Sequence, residues 1–424
     1  MAERISRALL PDNTSVANDG MVVFAGVRAD DLVEEFGTPL FVYDEGHIRS
    51  RCQEAVQAFP DGVSYAAKAF LCKAMAKLAY EEGMGLDVAT IGEAYVALQA
   101  GVPGASLTLH GNNKSLEELR FAMDNEIGRV VIDSFDEIER IEHLYKTVGK
   151  PLKALVRVTP GVQAYTHKYI TTGEVDSKFG FTVPNGLADE AIAKAKLSES
   201  IELIGLHAHI GSQIFTSNSF RKSTRILVDL AENFGLPELC VGGGLGVPYV
   251  NGESSISITE WGAIVAEISE LSSANIQVTA EPGRSIVASS AVTIYTVGTI
   301  KEIEGVRTYV AVDGGMHDNP RPALYGSDYE TFLARSIEDS RGRNITLVGK
   351  HCESGDVLVK EGNIQDDLVV GDLLVTPVTG AYGHSMGSNY NKVLRPAVVF
   401  VSDGKSRLVV RREELSDLLN SDLS

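Results

Sequence analysis

Short apolar runs alternate with longer amphipathic segments across the middle of the chain. The runs predict strands at 63–69, 85–90, 106–111, 129–134, 153–158, 203–210, 238–244 and 276–283. The segments between them carry helix signals, such as the capping-box pair Ser115 and Glu118. Strand–helix alternation is typical of a parallel sheet, and eight strands are the number that closes a (β/α)8 barrel. The pattern therefore predicts an α/β barrel, with an open doubly wound sheet as the competing arrangement.

The hydrophobic pattern changes after the last of these strands. From there, short β-branched runs are separated by Gly, Asp and Asn, which favours an antiparallel β-sandwich or β-barrel domain. Apolar runs at 21–27 and 37–46 precede the predicted barrel, and we expect them to join this β domain. The expected domains are N-terminal strands in residues 1–42, a (β/α)8 TIM-like barrel in residues 43–285 and an antiparallel β domain in residues 286–424.

Composition narrows the class of protein. The chain has 424 residues, 44% apolar and 22% charged, which is typical of a globular protein with two domains. A net charge of −19 disfavours nucleic acid as a partner. The cysteines lie far apart without a CxxC pair, which indicates reduced thiols. No apolar run approaches the ~20 residues of a membrane span, and the first run stops at Pro11, so we expect a cytoplasmic protein without membrane partners.

Polar residues gather at the carboxyl ends of the predicted barrel strands. They are Lys68, Asp87, His110, Asn112, Arg157, His207, His209, the glycines 242–244 and the segment 281–284. In a barrel this end carries the active site, whereas the bodies of the strands fill the core. The sequence therefore predicts an enzyme site at this end of the barrel.

Two of these features allow more than one interpretation. Lys68 ends an apolar run, where it either extends to solvent or forms a Schiff base through a desolvated amine. Gly242, Gly243 and Gly244 either make a tight turn or let backbone N–H groups approach a phosphate. A dinucleotide-binding loop is excluded because Val247 stands where its third glycine is required.

Two further pairs are also open to alternatives. His207 and His209 are either hydrogen-bonded core residues or a metal-binding pair, as in barrel hydrolases. Those hydrolases carry the pair on the first strand and need additional ligands, so we expect no metal. Glu281 and Arg284 form either a local salt bridge or a site in which the carboxylate pairs with a cationic ring nitrogen and the guanidinium binds an anion.

A series of short motifs identifies a family. In chain order they are YAAKAF, GLDVAT, HGNNKS, SKFGF, HIGSQ, GGGLG, EPGR, DGGM, RPALY, CESGD and GAY. In this combination the sequence resembles the diaminopimelate decarboxylases, which use pyridoxal 5'-phosphate on an alanine-racemase-like barrel. The resemblance runs from about residue 37 to the end. It implies decarboxylation of meso-2,6-diaminopimelate to L-lysine, the last step of lysine biosynthesis.

The resemblance also assigns roles to individual residues. Lys68 is the Schiff-base lysine, Glu281 pairs with the pyridine nitrogen and His209 stacks on the ring. The residues implied for the cofactor phosphate are Ser212, Gly243, Gly244, Tyr382 and the turn made by Glu281, Pro282, Gly283 and Arg284. The residues implied for the substrate are Arg284, Arg321, Tyr325, Glu353 and Tyr382.

Cys352 and Glu353 stand side by side in a polar loop flanked by glycines. A thiol has an ordinary pKa of about 8.5, so near neutral pH it can donate a proton. The resemblance makes Cys352 the proton donor and Glu353 the partner of the substrate's distal ammonium; a buried structural cysteine is the alternative. It also implies a homodimer in which this loop reaches the active site of the other subunit.

Two other functions remain alternatives. The first is decarboxylation of ornithine, lysine or arginine by a related enzyme. Those relatives generally carry Asp after the cysteine and lack the carboxylate-binding pair, so Glu353 and Arg321 count against them. The second is a non-catalytic protein that binds pyridoxal phosphate on a bare barrel, and the long C-terminal β domain counts against it.

Overall fold

The computed structural model of the chain describes residues 4–162 and 176–423. The chain divides into two compact units. The β unit comprises Met1–Ser50, Val247–Ser254 and Ile286–Ser424, and the barrel unit comprises Arg51–Gly246 and Ser255–Ser285. Each unit is therefore built from segments that are separated in sequence.

Within the described residues, four strands and two α-helices precede the barrel strands. They are β1 (Thr14–Val16), β2 (Val22–Phe24), β3 (Val27–Arg28), α1 (Ala29–Phe36), β4 (Leu40–Asp44) and α2 (Glu45–Ala58). The first three strands form a small antiparallel sheet. β4 is buried along its whole length, as expected for a nearly continuous apolar run in the centre of a sheet.

The barrel strands are parallel and follow one another in chain order. They are β5 (Ser64–Ala66), β6 (Gly85–Val88), β7 (Leu107–Leu109), β8 (Arg129–Ile132), β9 (Leu152–Thr159), β10 (Phe181–Thr182), β11 (Ile201–His207), β12 (Glu238–Cys240) and β13 (Gln277–Thr279). Eight of them pair consecutively from β5 to β13, and β10 pairs with β9 beside this path. A parallel bridge between Val63 and Ala280 joins the two ends. The closed order confirms the barrel and excludes the open doubly wound sheet.

Helices connect the barrel strands. They are α3 (Lys73–Glu81), α4 (Ile91–Gln99), α5 (Leu116–Asp124), α6 (Phe135–Val148), α7 (Leu187–Leu197), α8 (Ser217–Phe234) and α9 (Ile258–Ser269). Ser115 and Glu118 form the expected capping box on α5. Ser257 and Glu260 form a second box on α9. In each box two side chains satisfy backbone N–H groups that the first helical turn leaves without partners.

The remaining strands and helices complete the β unit, except that α10 begins in the barrel unit. They are α10 (Arg284–Val287), β14 (Ala291–Ile303), β15 (Arg307–Val312), α11 (Arg321–Tyr325), β16 (Phe332–Leu333), β17 (Arg343–Val348), β18 (Val357–Ile364), β19 (Leu373–Pro377), β20 (Ala397–Ser402) and β21 (Lys405–Val410). The main sheet has the order β18-β17-β15-β14-β4-β20-β21, and β19 pairs with β14 and β16. The N-terminal strand β4 thus lies inside the sheet of the C-terminal segment, which confirms that the β domain takes up N-terminal chain.

The sheet of the β unit is largely antiparallel, with two parallel pairs. β15 pairs in parallel with β17, and β4 pairs in parallel with β20. Parallel neighbours require a long crossover connection, and in both pairs a long intervening segment supplies it. Apolar side chains from β2, α1, β4, β14 and β20 form the main core cluster of this unit.

Among residues 4–162 and 176–423, no helix is both long enough and apolar enough to cross a membrane.

Candidate active site

Three barrel loops converge on the carboxylate of Glu281. Glu281 follows β13, His110 follows β7, and His207 is the last residue of β11. Oε1 of Glu281 lies 3.0 Å from Nε2 of His110, and Oε2 lies 2.9 Å from Nε2 of His207. All three side chains are buried. Because a carboxylate can only accept hydrogen bonds, each imidazole donates its Nε2–H to Glu281.

The electrostatics of this cluster favour an ionised Glu281. Burial raises the pKa of Glu281, but its electrostatic interactions and hydrogen bonds with His110 and His207 outweigh burial and hold the pKa well below its usual value. Burial lowers the pKa of His207 to about 4, so that ring is neutral near pH 7. Oδ1 of Asp87 lies 3.4 Å from Nε2 of His110, and burial raises the pKa of Asp87 to about 6. The cluster therefore holds a negative charge on Glu281 between two imidazoles.

His209 and Lys68 lie at the same end of the barrel. Nδ1 of His209 accepts the backbone N–H of Gly243 at 3.2 Å, which orients the ring and leaves its hydrogen on Nε2. Removal from water and then the charge of Lys68 lower the pKa of His209 well below its usual value, so the ring is neutral. Lys68 is exposed in a tight 3-10 turn directly after β5, between the buried Ala67 and Ala69. Its amine is therefore free to reach solvent at the end of the barrel.

The three consecutive glycines bring backbone close to neighbouring loops. A Cβ atom on Gly243 would lie 2.3 Å from the carbonyl oxygen of Glu281. At Gly244, φ is +104°, and a Cβ atom would lie 2.1 Å from the carbonyl oxygen of Gly211. Only glycine fits such approaches. The loops after β11, β12 and β13 therefore pack backbone against backbone.

A guanidinium and a hydroxyl lie beside this glycine turn. Nη2 of Arg284 donates to Oγ of Ser212 at 2.8 Å. Arg284 is buried, and Pro282 accepts the backbone N–H of Ala66 at 3.1 Å through its carbonyl oxygen. The turn 281–284 therefore connects the carboxylate cluster to the strand that leads to Lys68.

The residues of the barrel unit fit pyridoxal phosphate. The cofactor requires an amine for covalent attachment, a partner for its ring nitrogen, a neutral surface for its ring and an anion site for its phosphate. Lys68, Glu281, His209 and the Arg284–Ser212 pair have the corresponding chemistry. We refer to this set, with His110, His207 and the glycines 242–244, as the barrel mouth.

The metal alternative is not favoured by the arrangement of the two histidines. His207 bonds to Glu281 through Nε2, whereas His209 bonds to the backbone of Gly243. Within the described residues, the group with metal-ligand spacing consists of His110, His207 and Glu281 and does not include His209. The HxH pair therefore does not point at one common position.

The β unit contains the other residues implied by the resemblance. Arg321 is buried at the start of α11, and its guanidinium carbon lies 4.2 Å from the ring centre of Tyr249 and 5.5 Å from that of Tyr329. Its Nη1 also donates to the hydroxyl of Tyr329. Tyr325 ends α11 and is half-buried. The two tyrosines hold the planar guanidinium in place, as a carboxylate-binding fork requires.

Tyr382, Cys352 and Glu353 lie in loops of the β unit. Tyr382 has a φ of +60°, a left-handed backbone conformation that is uncommon for a tyrosine. Such conformations concentrate at functional sites. Cys352 and Glu353 are both exposed, so Cys352 is not the buried structural cysteine of the alternative interpretation.

The structure adds partners that the motifs did not assign. The sequence marked His110 and His207 only as polar residues at strand ends. In the structure each makes a hydrogen bond to Glu281, and these two bonds link β7, β11 and the loop after β13. Tyr249 and Tyr329 had no sequence signal beyond being tyrosines near glycine and proline. His110, His207 and Tyr249 contact an assigned residue from a distant part of the sequence, which is why spacing alone could not reveal them. Tyr329 lies only eight positions from Arg321, but no motif marked the pair.

Comparisons with known proteins agree with this site. Residues 45–288 match the family model described as "Pyridoxal-dependent decarboxylase, pyridoxal binding domain". The chain is 45% identical to diaminopimelate decarboxylase of Bacillus subtilis over 420 residues, covering 95% of each protein. It is 42% identical to that of Corynebacterium efficiens over 427 residues, covering 97% of this chain and 93% of the relative.

Solved structures give the same result. A crystal structure of diaminopimelate decarboxylase from M. jannaschii, in co-complex with L-lysine, superposes with a TM-score of 0.91. The two chains are 31% identical, and the match covers 97% of this chain and 98% of the other. The chain therefore belongs to the diaminopimelate decarboxylase family of pyridoxal-dependent decarboxylases.

Proposed function

We propose that this chain decarboxylates meso-2,6-diaminopimelate to L-lysine and carbon dioxide, the last step of lysine biosynthesis. The observation that carries the proposal is the Glu281 carboxylate, held ionised between His110 and His207. A permanent anion suits a ring nitrogen that must stay protonated. Similarity to diaminopimelate decarboxylases over 95% of the chain supports the choice of substrate.

The barrel mouth would hold the cofactor. When bound, pyridoxal phosphate supplies a protonated ring that accepts the electron pair left by the departing carboxyl group. Lys68 would attach the cofactor covalently, and the neutral ring of His209 would lie against its face. The phosphate would be bound by Ser212, Gly243, Gly244, Gly283, Arg284 and Tyr382. An arginine with backbone N–H groups is the donor set that a phosphate dianion prefers.

The substrate would be recognised by the groups at its distal end. The guanidinium of Arg321, flanked by two tyrosines, is suited to a bidentate bond with the distal carboxylate. We assign Tyr325, Arg284 and Tyr382 to the same carboxylate. Glu353 would pair with the distal ammonium. Ornithine, lysine and arginine have no distal carboxylate, so Arg321 favours diaminopimelate over them.

The thiol of Cys352 would donate the proton that replaces the lost carboxyl group. Cys352 is exposed, which leaves its thiol available to a second molecule. We propose a homodimer in which Cys352 and Glu353 of one subunit serve the barrel mouth of the other. The thiol must remain reduced to act, which favours a cytoplasmic location.

Mixing two inactive variants tests the shared site. Cys352→Ala and Lys68→Ala should each be inactive, and mixed dimers should regain one intact site. Random reassortment then gives about a quarter of wild-type activity per total site, by counting for a two-fold dimer. Mixed variants that exchange subunits and stay inactive would place both residues in one chain's site.

A substrate comparison tests the chemical assignment. The purified holoenzyme should release carbon dioxide from meso-2,6-diaminopimelate and much less from ornithine, lysine or arginine. Arg321→Met should raise KM for diaminopimelate and reduce the preference for diaminopimelate over ornithine, lysine and arginine. Release from ornithine but not from diaminopimelate would overturn the substrate, and binding of the cofactor without turnover of any of these amino acids would support the non-catalytic alternative.

A further inference from the structure

An exposed loop of four residues carries both Cys352 and Glu353. Residues 352–355, which we call the thiol loop, are all exposed, whereas His351 and Asp356 on either side of it are buried. An exposed loop is ordinarily mobile. Proton delivery to one face of a carbon requires the opposite, because the donor must be held in place. The two buried residues, His351 and Asp356, are therefore the candidates for fixing the loop.

The Asp356 carboxylate bonds to two separate backbone segments. Oδ1 accepts the N–H of Met316 at 2.7 Å, and Oδ2 accepts the N–H of His351 at 2.8 Å. Asp356 is 3% exposed. Both oxygens are thus used by backbone donors, one at the start of the thiol loop and one in the loop that leads to α11.

Backbone hydrogen bonds close the same loop. The N–H of Asp356 donates to the carbonyl of Glu353, and the N–H of Gly349 donates to the carbonyl of Asp356, both at 3.1 Å. The N–H of Lys350 donates to the carbonyl of Gly314 at 3.0 Å. The first two bonds close the loop bearing Cys352, and the third joins it to the loop that precedes Arg321.

The backbones of two glycines enclose the Asp356 carboxylate closely and leave no room for another side chain. A Cβ atom on Gly349 would lie 2.3 Å from Oδ2, and one on Gly315 would lie 2.8 Å from Oδ1. Neither glycine can carry a side chain without displacing the carboxylate. A longer acid would meet the same two backbones, so glutamate cannot replace aspartate here without moving the loop.

The first end of the thiol loop, at His351, is held by a separate series of side-chain contacts. Nε2 of His351 lies 2.9 Å from Nδ1 of His317, and Nδ1 of His351 lies 3.3 Å from Nδ2 of Asn391. The ring of His351 also packs against that of Tyr390, with centres 5.2 Å apart. His351 is therefore fixed through its ring as well as through its N–H.

We propose that Asp356 is a positioning residue that fixes Cys352 and Glu353 relative to the loop leading to Arg321. This inference rests on the proposed roles of Cys352 as proton donor and of Glu353 as partner of the distal ammonium. Asp356 would act through the backbone of His351 and Met316 and would not touch the substrate. Its effect is to aim the thiol of Cys352 at one face of the reacting carbon and to hold Glu353 in a fixed position beside it.

Asp356→Asn removes this function with the smallest change in shape. An asparagine has one acceptor oxygen, and in either orientation its NH2 group faces one of the two N–H donors. One of the two backbone segments is then released. A misplacement of about 1 Å can cost about 10²-fold in rate, so we expect kcat to fall by up to about 10²-fold. KM should rise as well, because Glu353 moves with Cys352.

The test uses the holoenzyme in deuterium oxide. Wild-type enzyme should place deuterium in one configuration on the carbon that lost carbon dioxide, as read from the NMR spectrum of the lysine formed. Asp356→Asn should give a mixture of both configurations while retaining its cofactor spectrum. Glu361→Gln, an exposed acid on β18, is the control and should match wild type. A single configuration with unchanged kcat in Asp356→Asn would overturn the proposal.

Two further measurements keep the outcome clear. In wild-type protein, the amide hydrogens of Met316 and His351 should exchange as slowly as those of β17 and β18. Exchange at the rate of an open loop would overturn the proposal even if Asp356→Asn fails to fold. Cys352→Ala, assayed in parallel, should lose activity and stereochemical control. A fully active and stereospecific Cys352→Ala would overturn the proton-donor role itself. If Cys352→Ala loses activity and stereochemical control while Asp356→Asn keeps both, only the positioning role is overturned.

Discussion

Replacing Glu281 by glutamine tests the electrostatic centre of the barrel mouth. The carboxylate accepts an Nε2–H from His110 at 3.0 Å and another from His207 at 2.9 Å. Glutamine preserves the volume but offers one acceptor oxygen and one NH2 donor. The NH2 group must then face an imidazole Nε2, and that imidazole must move its hydrogen to Nδ1. The variant therefore changes the charge and the hydrogen-bond direction with little change in packing.

The magnitude follows from two losses. If His207 changes tautomer, its Nδ1–H lies where, in the described structure, the buried Nδ1 has no hydrogen-bond partner. An unsatisfied buried donor costs about 1–3 kcal/mol of folding free energy. In the proposed site, the cofactor nitrogen would also lose a charged partner, and a hydrogen bond to a charged group contributes about 1.5–3 kcal/mol. At 1.4 kcal/mol per tenfold, kcat should fall by about 10- to 150-fold.

The assay must separate cofactor binding from folding. We expect Glu281→Gln to weaken the affinity for pyridoxal phosphate in a fluorescence titration and to lower kcat, with a modest loss of Tm. Glu238→Gln is the matched control, because Glu238 is a buried barrel carboxylate that accepts from Arg129 at 2.8 and 3.0 Å. It should lose stability without affecting the cofactor. Wild-type affinity and kcat in Glu281→Gln would refute the reasoning.

Three further predictions concern the barrel unit. Lys114→Met should lower the free energy of unfolding by about 3–5 kcal/mol in urea, because it leaves the buried carboxylate of Glu137, 2.9 Å away, without its cation; an effect below 1 kcal/mol would contradict this. Wild-type stability should fall as pH drops from 6.5 through 4, because the unfolded state protonates His207 before the folded state does. His207→Gln should therefore destabilise the protein more at pH 7 than at pH 4, and a pH-independent difference in Tm would exclude this cause. Gly244→Ala should raise the Kd for pyridoxal phosphate at least about tenfold. Gly186→Ala is the control: Gly186 has a φ of +82° and open space around it, so this change should cost only about 1–2 kcal/mol of stability. Equal Kd values in the two variants would argue against the phosphate site.

Hydrophobic periodicity predicted the eight barrel strands but left an open doubly wound sheet as a competing arrangement. Each of the eight predicted runs overlaps one observed strand. Six of these strands lie within their runs and are shorter, whereas β9 extends beyond its run at both ends and β11 begins two residues before its run. The run at 203–210, for example, yields β11 only to His207, so His209 lies in the loop beyond it. Functional side chains are carried by such loops while the strands supply the scaffold. The apolar pattern therefore identifies the strands and does not fix where each one stops.

Long-range pairings were beyond the reach of the sequence pattern. β4 pairs with β20 in register from Leu40 with Ala397 onward, although the whole barrel lies between them in the chain. The bonds of Glu281 to His110 and His207 likewise join residues 171 and 74 positions apart. Periodicity reports which face of an element is buried, but not which distant element buries it.

The most direct test measures both products of one reaction. Purified enzyme with pyridoxal phosphate should convert meso-2,6-diaminopimelate into equal amounts of carbon dioxide and L-lysine. Lys68→Ala, which keeps the rest of the barrel mouth, should form neither product and should lose the cofactor adduct that borohydride fixes to the chain. Carbon dioxide without lysine, or undiminished turnover by Lys68→Ala, would contradict the account.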